Sequence, residues 1–118
     1  MRYNIEMQDD SGKAWFTGKG TLPGDYMLKL VADRMPTVIE KGLEFAQGAV
    51  PFFGGELAKI CKKKGTQKEL DKAAIELILA VLAVESMLGT SEKDLNDSTF
   101  SLTIYDSGIV RYDRVITK

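Results

Sequence analysis

The segment from Ala73 to Leu88 constrains the possible folds of this chain more than any other. It reads AAIELILAVLAVESML, and its only charged residues are Glu76 and Glu85. As a helix, it begins amphipathic and then becomes apolar on every side, so its second half presents no face to water. We therefore expect this helix to be covered by the rest of the fold, by a second copy of the chain or by a partner.

Local sequence signals predict where this helix begins and ends and which part of its surface makes contacts. Thr66 and Glu69 form a T-x-x-E capping box just before it, and Gly89 can end it. The polar stripe of its first turns leads, one and two turns further on, to Ala80 and Ala83. Small apolar residues in place of charged ones predict a contact surface at these two positions.

Both ends of the chain predict a β-hairpin that turns on the tripeptide Asp-Ser-Gly, at residues 10–12 and 106–108. In the C-terminal hairpin this loop places Phe100 opposite Arg114 and leaves Arg111 on the exposed face. The buried face of that hairpin is then formed by Phe100, Leu102, Ile104, Val110 and Tyr112.

The N-terminal hairpin has a less regular pattern. Tyr3, Ile5 and Met7 share one face of its first strand, as the two-residue period of a strand requires. The analogous register predicts that Met7 lies opposite Trp15.

Between the hairpins the sequence predicts helices. From Asp25 to Ala46 apolar residues recur three and four positions apart, and Pro36 interrupts this pattern without shifting its phase. Pro36 therefore either kinks one helix or begins a second. The breaker-rich stretch QGAVPFFGG, residues 47–55, predicts a loop. A helix over about residues 56–64 follows, with Gly65 as its left-handed cap.

The resulting order is ββ, three or four helices, ββ, in a single domain over residues 1–118. Two hairpins that enclose helices predict an α+β fold. We expect an antiparallel sheet of about four strands with the helices packed on one face.

Composition narrows the range of functions. The chain has 118 residues, a formal net charge of −1 and no histidine. The absence of histidine removes the commonest general base, the Ser/His and Cys/His nucleophile pairs and every histidine-containing metal site. The balanced charge gives no global attraction for nucleic acid, so we expect no nucleic-acid partner.

Cysteine usage and hydropathy indicate a compartment. Cys61 is the only cysteine, which excludes an intrachain disulfide and is typical of a reducing environment. The start MRYNIEMQDD has acidic residues where a signal peptide needs an apolar segment, and the longest apolar run, Leu77 to Val84, is too short to span a bilayer. We therefore expect a cytoplasmic protein with no membrane partner.

A few stretches invite a chemical interpretation. The glycine-rich residues 18–24 fit neither the Walker A nor the Rossmann spacing, which favours a simple loop over a phosphate cradle. Asp9 with Asp10, and Asp94 with Asp97, are typical of turns rather than of metal sites. We expect no catalytic constellation, no cofactor and no metal. The candidate ligand-binding cations are Lys62, Lys63, Lys64, Arg111 and Arg114.

The leading hypothesis is a non-enzymatic protein-interaction module of the inhibitor, immunity or phage-accessory type. It would bind a protein partner or itself as a homo-oligomer. Two adjacent phenylalanines cannot easily both point inward, and exposed aromatic residues are strong interface anchors. The predicted interface residues are Phe52, Phe53, Ala80, Ala83 and Met87. The alternative is a small-molecule binding protein that takes an anion or a nucleotide through the cations named above.

Overall fold

The computed structural model describes residues 1–89 and 95–116 and has an α+β fold. Four strands form one sheet and three helices pack against it, with a short 3-10 helix at Leu95–Asp97 before the third strand. In chain order the elements are β1 (Arg2–Gln8), β2 (Ala14–Thr21), α1 (Gly24–Lys41), α2 (Leu43–Lys62), α3 (Gln67–Met87), β3 (Ser98–Tyr105) and β4 (Val110–Ile116).

The sheet has the strand order β2-β1-β3-β4 and is mixed. Each hairpin is antiparallel, but β1 and β3 pair in parallel at the centre. The prediction of a purely antiparallel sheet is therefore wrong. Parallel neighbours need a long crossover connection, which α1, α2 and α3 supply. Turn signals specify the pairing within each hairpin, but they carry no information on how two hairpins join.

The C-terminal hairpin has the predicted register, with Ile104 opposite Val110 and Phe100 opposite Arg114. Phe100, Leu102 and Ile104 are buried against the helices. Tyr112, however, is 40% exposed, so the prediction that it is buried is wrong. It lies on the edge strand β4, where the helices do not cover it.

The N-terminal hairpin contains a β-bulge that the sequence pattern did not reveal. Met7 pairs with Phe16 and Gln8 pairs with Ala14, which leaves Trp15 as the extra residue. The predicted pairing of Met7 with Trp15 is therefore off by one residue. The bulge resolves the awkward register, because Glu6 now lies beside Thr17 instead of Phe16.

Two of the helices, α1 and α2, each contain a proline in their interior. α1 extends from Gly24 to Lys41 with Pro36 inside it, so a second helix does not begin there. α2 continues through Pro51, and the predicted loop at residues 47–55 is wrong. The buried residues of α2 recur every three or four positions, and this apolar stripe outweighs the local breakers. They are Ala46, Val50, Gly54, Leu57 and Cys61.

The turn between α2 and α3 closes in an unexpected way. Lys64, not Gly65, takes the left-handed conformation, with φ of 52°. The amide of Lys64 donates to Cys61 O at 3.2 Å and that of Gly65 donates to Ile60 O at 3.0 Å, the pattern of a Schellman motif. A Cβ on Gly65 would lie 2.9 Å from Ile60 Cγ2, so glycine is required there for close approach.

The signals predicted at the two ends of α3 are confirmed. Thr66 and Glu69 form the reciprocal capping box, and these bonds, with Lys63 nearby, lower the pKa of Glu69. Gly89, with φ of 86°, follows the end of the helix.

The fold itself covers the apolar half of α3. Every residue from Leu77 to Val84 is buried in a single copy of the chain. α1 and α2 pack on this helix, while its side chains also reach the sheet, where Leu70 approaches Gly18 and Glu85 binds Arg114. The rest of the fold is therefore enough to cover this helix, without a second copy of the chain or a partner.

Candidate functional site

A groove lies between α1 and α2. The two helices are joined by Gly42 alone, whose φ of 93° allows the sharp turn. α2 packs extensively along α3, whereas α1 makes much less contact with either helix. The space between them has a volume of about 310 Å³.

Small side chains create this groove and larger apolar ones wall it. Its floor is formed by Ala80 and Ala83 of α3, each 7% exposed. Large residues at these positions would fill the space between the helices. The apolar walls come from α1 and α2 and include Met35, Val38, Phe45, Ala46, Ala49 and Phe53.

Charged groups occur on the lining of the groove. Arg34 of α1 forms a two-pronged bond to Glu76 of α3, with Nη1 to Oε2 at 2.6 Å and Nη2 to Oε1 at 3.0 Å. Both side chains are partly exposed, so this pair contributes little to stability. Asp33 also lines the groove, and within residues 1–89 and 95–116 it has no hydrogen bond or ion pair. The groove therefore carries one uncompensated negative charge.

Two exposed phenylalanines lie at the groove, Phe45 on its lining and Phe52 beside it. Phe52 is 60% exposed and meets Phe53 edge to face, with ring centroids 5.1 Å apart. Phe45 is about half exposed, and Lys41 Nζ lies 4.6 Å from its ring centroid. Of the two adjacent phenylalanines in α2, Phe53 therefore packs against the core and Phe52 points to solvent.

The structure brings together three of the five predicted interface residues. Phe53, Ala80 and Ala83 line the groove, and Phe52 contacts Phe53 beside it. Met87 packs against the core and is not part of the lining. The sequence analysis missed the α1 wall, although Met35 and Val38 lie on the apolar stripe from which that helix was predicted.

The five candidate ligand-binding cations do not form one site. Lys63 binds Glu69 at 3.1 Å, Lys62 Nζ lies 5.9 Å from the Trp15 ring, and Lys64 occupies the turn. Arg111 lies over the Tyr105 ring on the open face of the sheet. Arg114 lies on the other face, bonded to Glu85.

The glycine-rich stretch is a packing feature, not a phosphate cradle. Gly18 and Gly20 belong to β2, so the loop predicted there is wrong. A Cβ on Gly20 would lie 2.4 Å from the ring of Tyr3, and one on Gly18 would lie 3.2 Å from Leu70. The amide of Gly24, at the start of α1, donates to Asn96 Oδ1 at 3.0 Å, so this helix end is capped from within the chain.

A polar network around the buried Tyr3 lies beside these glycines. The Tyr3 hydroxyl donates to Asp71 Oδ1, and Gln67 Nε2 donates to the same carboxylate at 2.9 Å and to Lys19 O at 3.1 Å. Burial and the bond to Asp71 raise the pKa of Tyr3 far above its ordinary value. The network therefore joins β1 and β2 to α3 in a fixed arrangement.

Other reactive groups lie apart from the groove. Burial raises the pKa of Cys61 to about 11, which keeps this thiol protonated and unreactive at neutral pH. Hydrogen bonds from Ser11 and Lys13 lower the pKa of Asp9, as a turn-forming carboxylate requires. Asp94, paired with Asp97 in the sequence analysis, lies outside the described residues.

The described residues lack two kinds of feature. In residues 1–89 and 95–116, no group of three or more Cys, Asp or Glu side chains is placed to hold a metal ion. The helices of that same part of the chain are all too short or too polar to cross a membrane.

Comparison with models of protein families, with curated proteins and with solved structures finds no match to this chain. The groove and the surface around it are therefore the features that bear on function.

Proposed function

We propose that this chain is a non-enzymatic protein-interaction module that holds an amphipathic helix of a partner protein in the groove between α1 and α2. The observation that carries the proposal is the groove itself, with an apolar floor at Ala80 and Ala83 and apolar walls from both helices. Inhibitors, immunity proteins and phage accessory factors are the classes in which such a module would work.

The shape of the groove favours a helix as the occupant. Its walls are two helices and its floor is a third, so a further helix can lie along it and insert apolar residues spaced at i, i+3 or i+4, and i+7. The volume of about 310 Å³ is at the lower end of the range for small-molecule pockets.

Charge specifies one further property of the partner. Asp33 is the uncompensated carboxylate on the lining, since Glu76 is already bonded to Arg34. We expect the partner helix to present a lysine or arginine toward Asp33, because an opposite charge at the rim fixes register and orientation.

The exposed aromatic rings supply anchors. Phe52 and Phe45 project beside the groove, and interfaces concentrate their binding energy in a few such large side chains. The groups whose pKa values are strongly displaced, Tyr3 and Cys61, are buried elsewhere in the fold. A binding role therefore agrees better with the surface than a catalytic one does. The buried, unpaired Cys61 suits a reducing compartment, and we place the activity in the cytoplasm.

The experiment compares two glutamates at adjacent positions of α2. Ala49→Glu puts a charge into the groove, whereas a side chain at Gly48 meets open space. We would tag wild type, A49E and G48E, pass extract of the producing cells over each and quantify bound proteins by mass spectrometry.

The expected result is a partner that binds wild type and G48E but is lost with A49E. Thermal denaturation of the three proteins checks that A49E is folded. Identical sets of bound proteins on all three would overturn the proposed groove, as would a partner lost only with G48E.

A further inference from the structure

Among the described residues, 1–89 and 95–116, no strand pairs with the outer edge of β4. This strand runs from Val110 to Ile116, pairs regularly with β3 and contains no bulge, proline or lysine. Natural edge strands are usually protected by such features, because an open edge pairs with other chains. Large apolar side chains are exposed here on both faces of the sheet, namely Ile109, Tyr112, Val115 and Ile116.

The other edge of the sheet looks different. β2 has a bulge at Trp15, a lysine at position 19 and two glycines that weaken its pairing potential. β2 therefore combines a bulge, glycines and a lysine, whereas the only such features of β4 are its charged residues Arg111, Asp113 and Arg114.

The outward backbone groups of β4 follow from its pairing with β3. Tyr105 N–H donates to Ile109 O at 2.9 Å, so residue 109 bonds toward β3. Antiparallel ladders alternate, so residues 111, 113 and 115 also bond to β3. The N–H and C=O groups of Val110, Tyr112 and Arg114 then point away from the sheet, toward any strand added at this edge.

We propose that two copies of the chain join edge to edge through β4, antiparallel and centred on Tyr112, into one eight-stranded sheet. In this register Arg111 of each copy lies opposite Asp113 of the other. Ile109 of each copy likewise lies opposite Val115 of the other. All four side chains lie on the open face, since they alternate with Val110, Tyr112 and Arg114 along the strand.

Charge selects this register over its neighbours. Centring the pair on Asp113 would place two aspartates directly opposite each other, and centring it on Arg111 would do the same with two arginines. Like charges directly across strands are destabilising. Registers shifted by one residue would place the buried face of one copy against the open face of the other. The sequence Ile-x-Arg-x-Asp-x-Val, residues 109–115, is therefore self-complementary when read antiparallel.

The charged pair is available in the single copy. Asp113 is exposed and, among the described residues, has no hydrogen bond or ion pair. Arg111 is exposed and its guanidinium lies 5.7 Å from the Tyr105 ring centroid. In the dimer these residues occupy non-hydrogen-bonded positions, where Cα atoms lie about 4.5 Å apart and side chains are closest. Backbone hydrogen bonds and apolar burial supply the affinity, and the ion pairs supply the register.

The dimer is independent of the groove. A twofold axis perpendicular to the sheet keeps the helices of both copies on the same face. α2 approaches β4 at Gly54, but the paired side chains of residues 109, 111, 113 and 115 lie on the open face of the sheet, opposite the helices and the groove. This inference does not rest on the proposed function, and each copy in the dimer retains its own groove.

Charge reversal tests the pairing in solution. We would measure the mass of the full chain by sedimentation equilibrium from micromolar to millimolar concentration. Arg111→Asp and Asp113→Arg should each weaken dimerisation about tenfold or more, since each creates two like-charged pairs. The double variant R111D/D113R restores opposite charges and should dimerise like wild type. Lys19→Asp on β2, with the same charge change as R111D, is the matched control and should have no effect.

Several outcomes overturn the inference. They are a wild-type chain that stays monomeric at millimolar concentration, a dimer untouched by R111D, and a double variant as weak as the single ones. A dimer that is broken by A49E but not by R111D would place the contact in the groove instead. Because these variants lie on different surfaces, failure here and failure of the groove proposal are distinguishable.

Disulfide trapping reads the register directly. Residue 112 meets its own copy at the axis, where Cα atoms of a hydrogen-bonded pair are about 5.5 Å apart, within disulfide range. Tyr112→Cys should form a covalent dimer on mild oxidation, whereas Asp113→Cys should not. The native Cys61 is buried and does not compete. Cross-linking of D113C but not of Y112C would overturn the proposed register.

Discussion

Arg114 of β4 donates from Nη1 to Glu85 Oε2 of α3 at 3.0 Å, with the two side chains only 10% and 13% exposed. The same guanidinium donates from Nε to Ser98 Oγ at 3.1 Å and lies 5.5 Å from the ring centroid of Phe100. A residue named as a candidate ligand contact is thus a structural tie between the edge strand and the apolar helix.

We expect Glu85→Gln to destabilise the fold strongly. It removes the charge of one carboxylate bound to Arg114 in a nearly dry site, and breaking such a pair costs about 3 kcal/mol. Glu76→Gln is the matched control, because Glu76 also binds an arginine but at the surface, where the loss is at most about 1 kcal/mol. Urea denaturation measures both. Equal losses of stability would contradict the difference in burial.

Two glycine-to-alanine changes should have opposite effects. Gly20→Ala forces a Cβ to within 2.4 Å of the Tyr3 ring and should lower the free energy of unfolding by about 2 kcal/mol. Gly48→Ala adds a methyl group in open space on α2 and should raise it by about 0.5–1 kcal/mol through helix propensity. Thermal denaturation provides the comparison. A neutral G20A variant would show that the glycine is not needed for packing against Tyr3.

Lys64→Gly should stabilise the chain. A non-glycine residue at φ of 52° destabilises the folded state by roughly 1–2 kcal/mol. Glycine removes this strain but has more conformational freedom in the unfolded chain, which offsets about half of the gain. We expect a gain of about 0.5–1 kcal/mol in chemical denaturation. Gly65→Ala, one residue later, should be destabilising because its Cβ would lie 2.9 Å from Ile60 Cγ2. A gain with G65A would contradict the close approach of Gly65 to Ile60, and a loss with K64G would contradict the cost assigned to the left-handed Lys64.

Cys61 should make the fold sensitive to alkali. The pKa of the Cys61 thiol rises from 9.0 to about 11 on folding. Below pH 9.0 the thiol is protonated in both the folded and the unfolded chain, so its contribution to stability is fully present. As the pH climbs above 9.0, the unfolded chain releases the proton first, and stability falls until the folded thiol ionises as well. Urea unfolding at about pH 8 and about pH 10 should show a steeper loss for wild type than for Cys61→Ala. Parallel losses in the two proteins would contradict this assignment.

Strong local signals predicted much of the framework. The capping box at Thr66 and Glu69, the turns at 10–12 and 106–108 and the register of the C-terminal hairpin all depend on residues close in sequence. In each case the deciding interaction is short-range, so neighbouring residues contain enough information. Tyr112 is the exception, because its burial depends on where distant helices lie.

The features that escaped prediction depend on distant contacts. Gly54 looks like a helix breaker, but a Cβ there would lie 2.6 Å from Val110 Cγ2, so it permits α2 to approach β4. Pro51 likewise suggests a loop, although the buried stripe around it keeps the helix intact. The groove was predicted only in part. Ala80 and Ala83 indicated its floor, but the space between α1 and α2 depends on how these helices pack and has no local sequence signal.

The parallel neighbours β1 and β3 come from opposite ends of the chain. Each hairpin can form early, but the sheet closes only after the intervening helices have condensed, since a contact across so long a loop has a large entropic cost. Such topology predicts slow, late closure and a period in which two inner strand edges are unpaired. Because the hairpins form first and β1 pairs with β3 last, this chain is most vulnerable to aggregation while it folds.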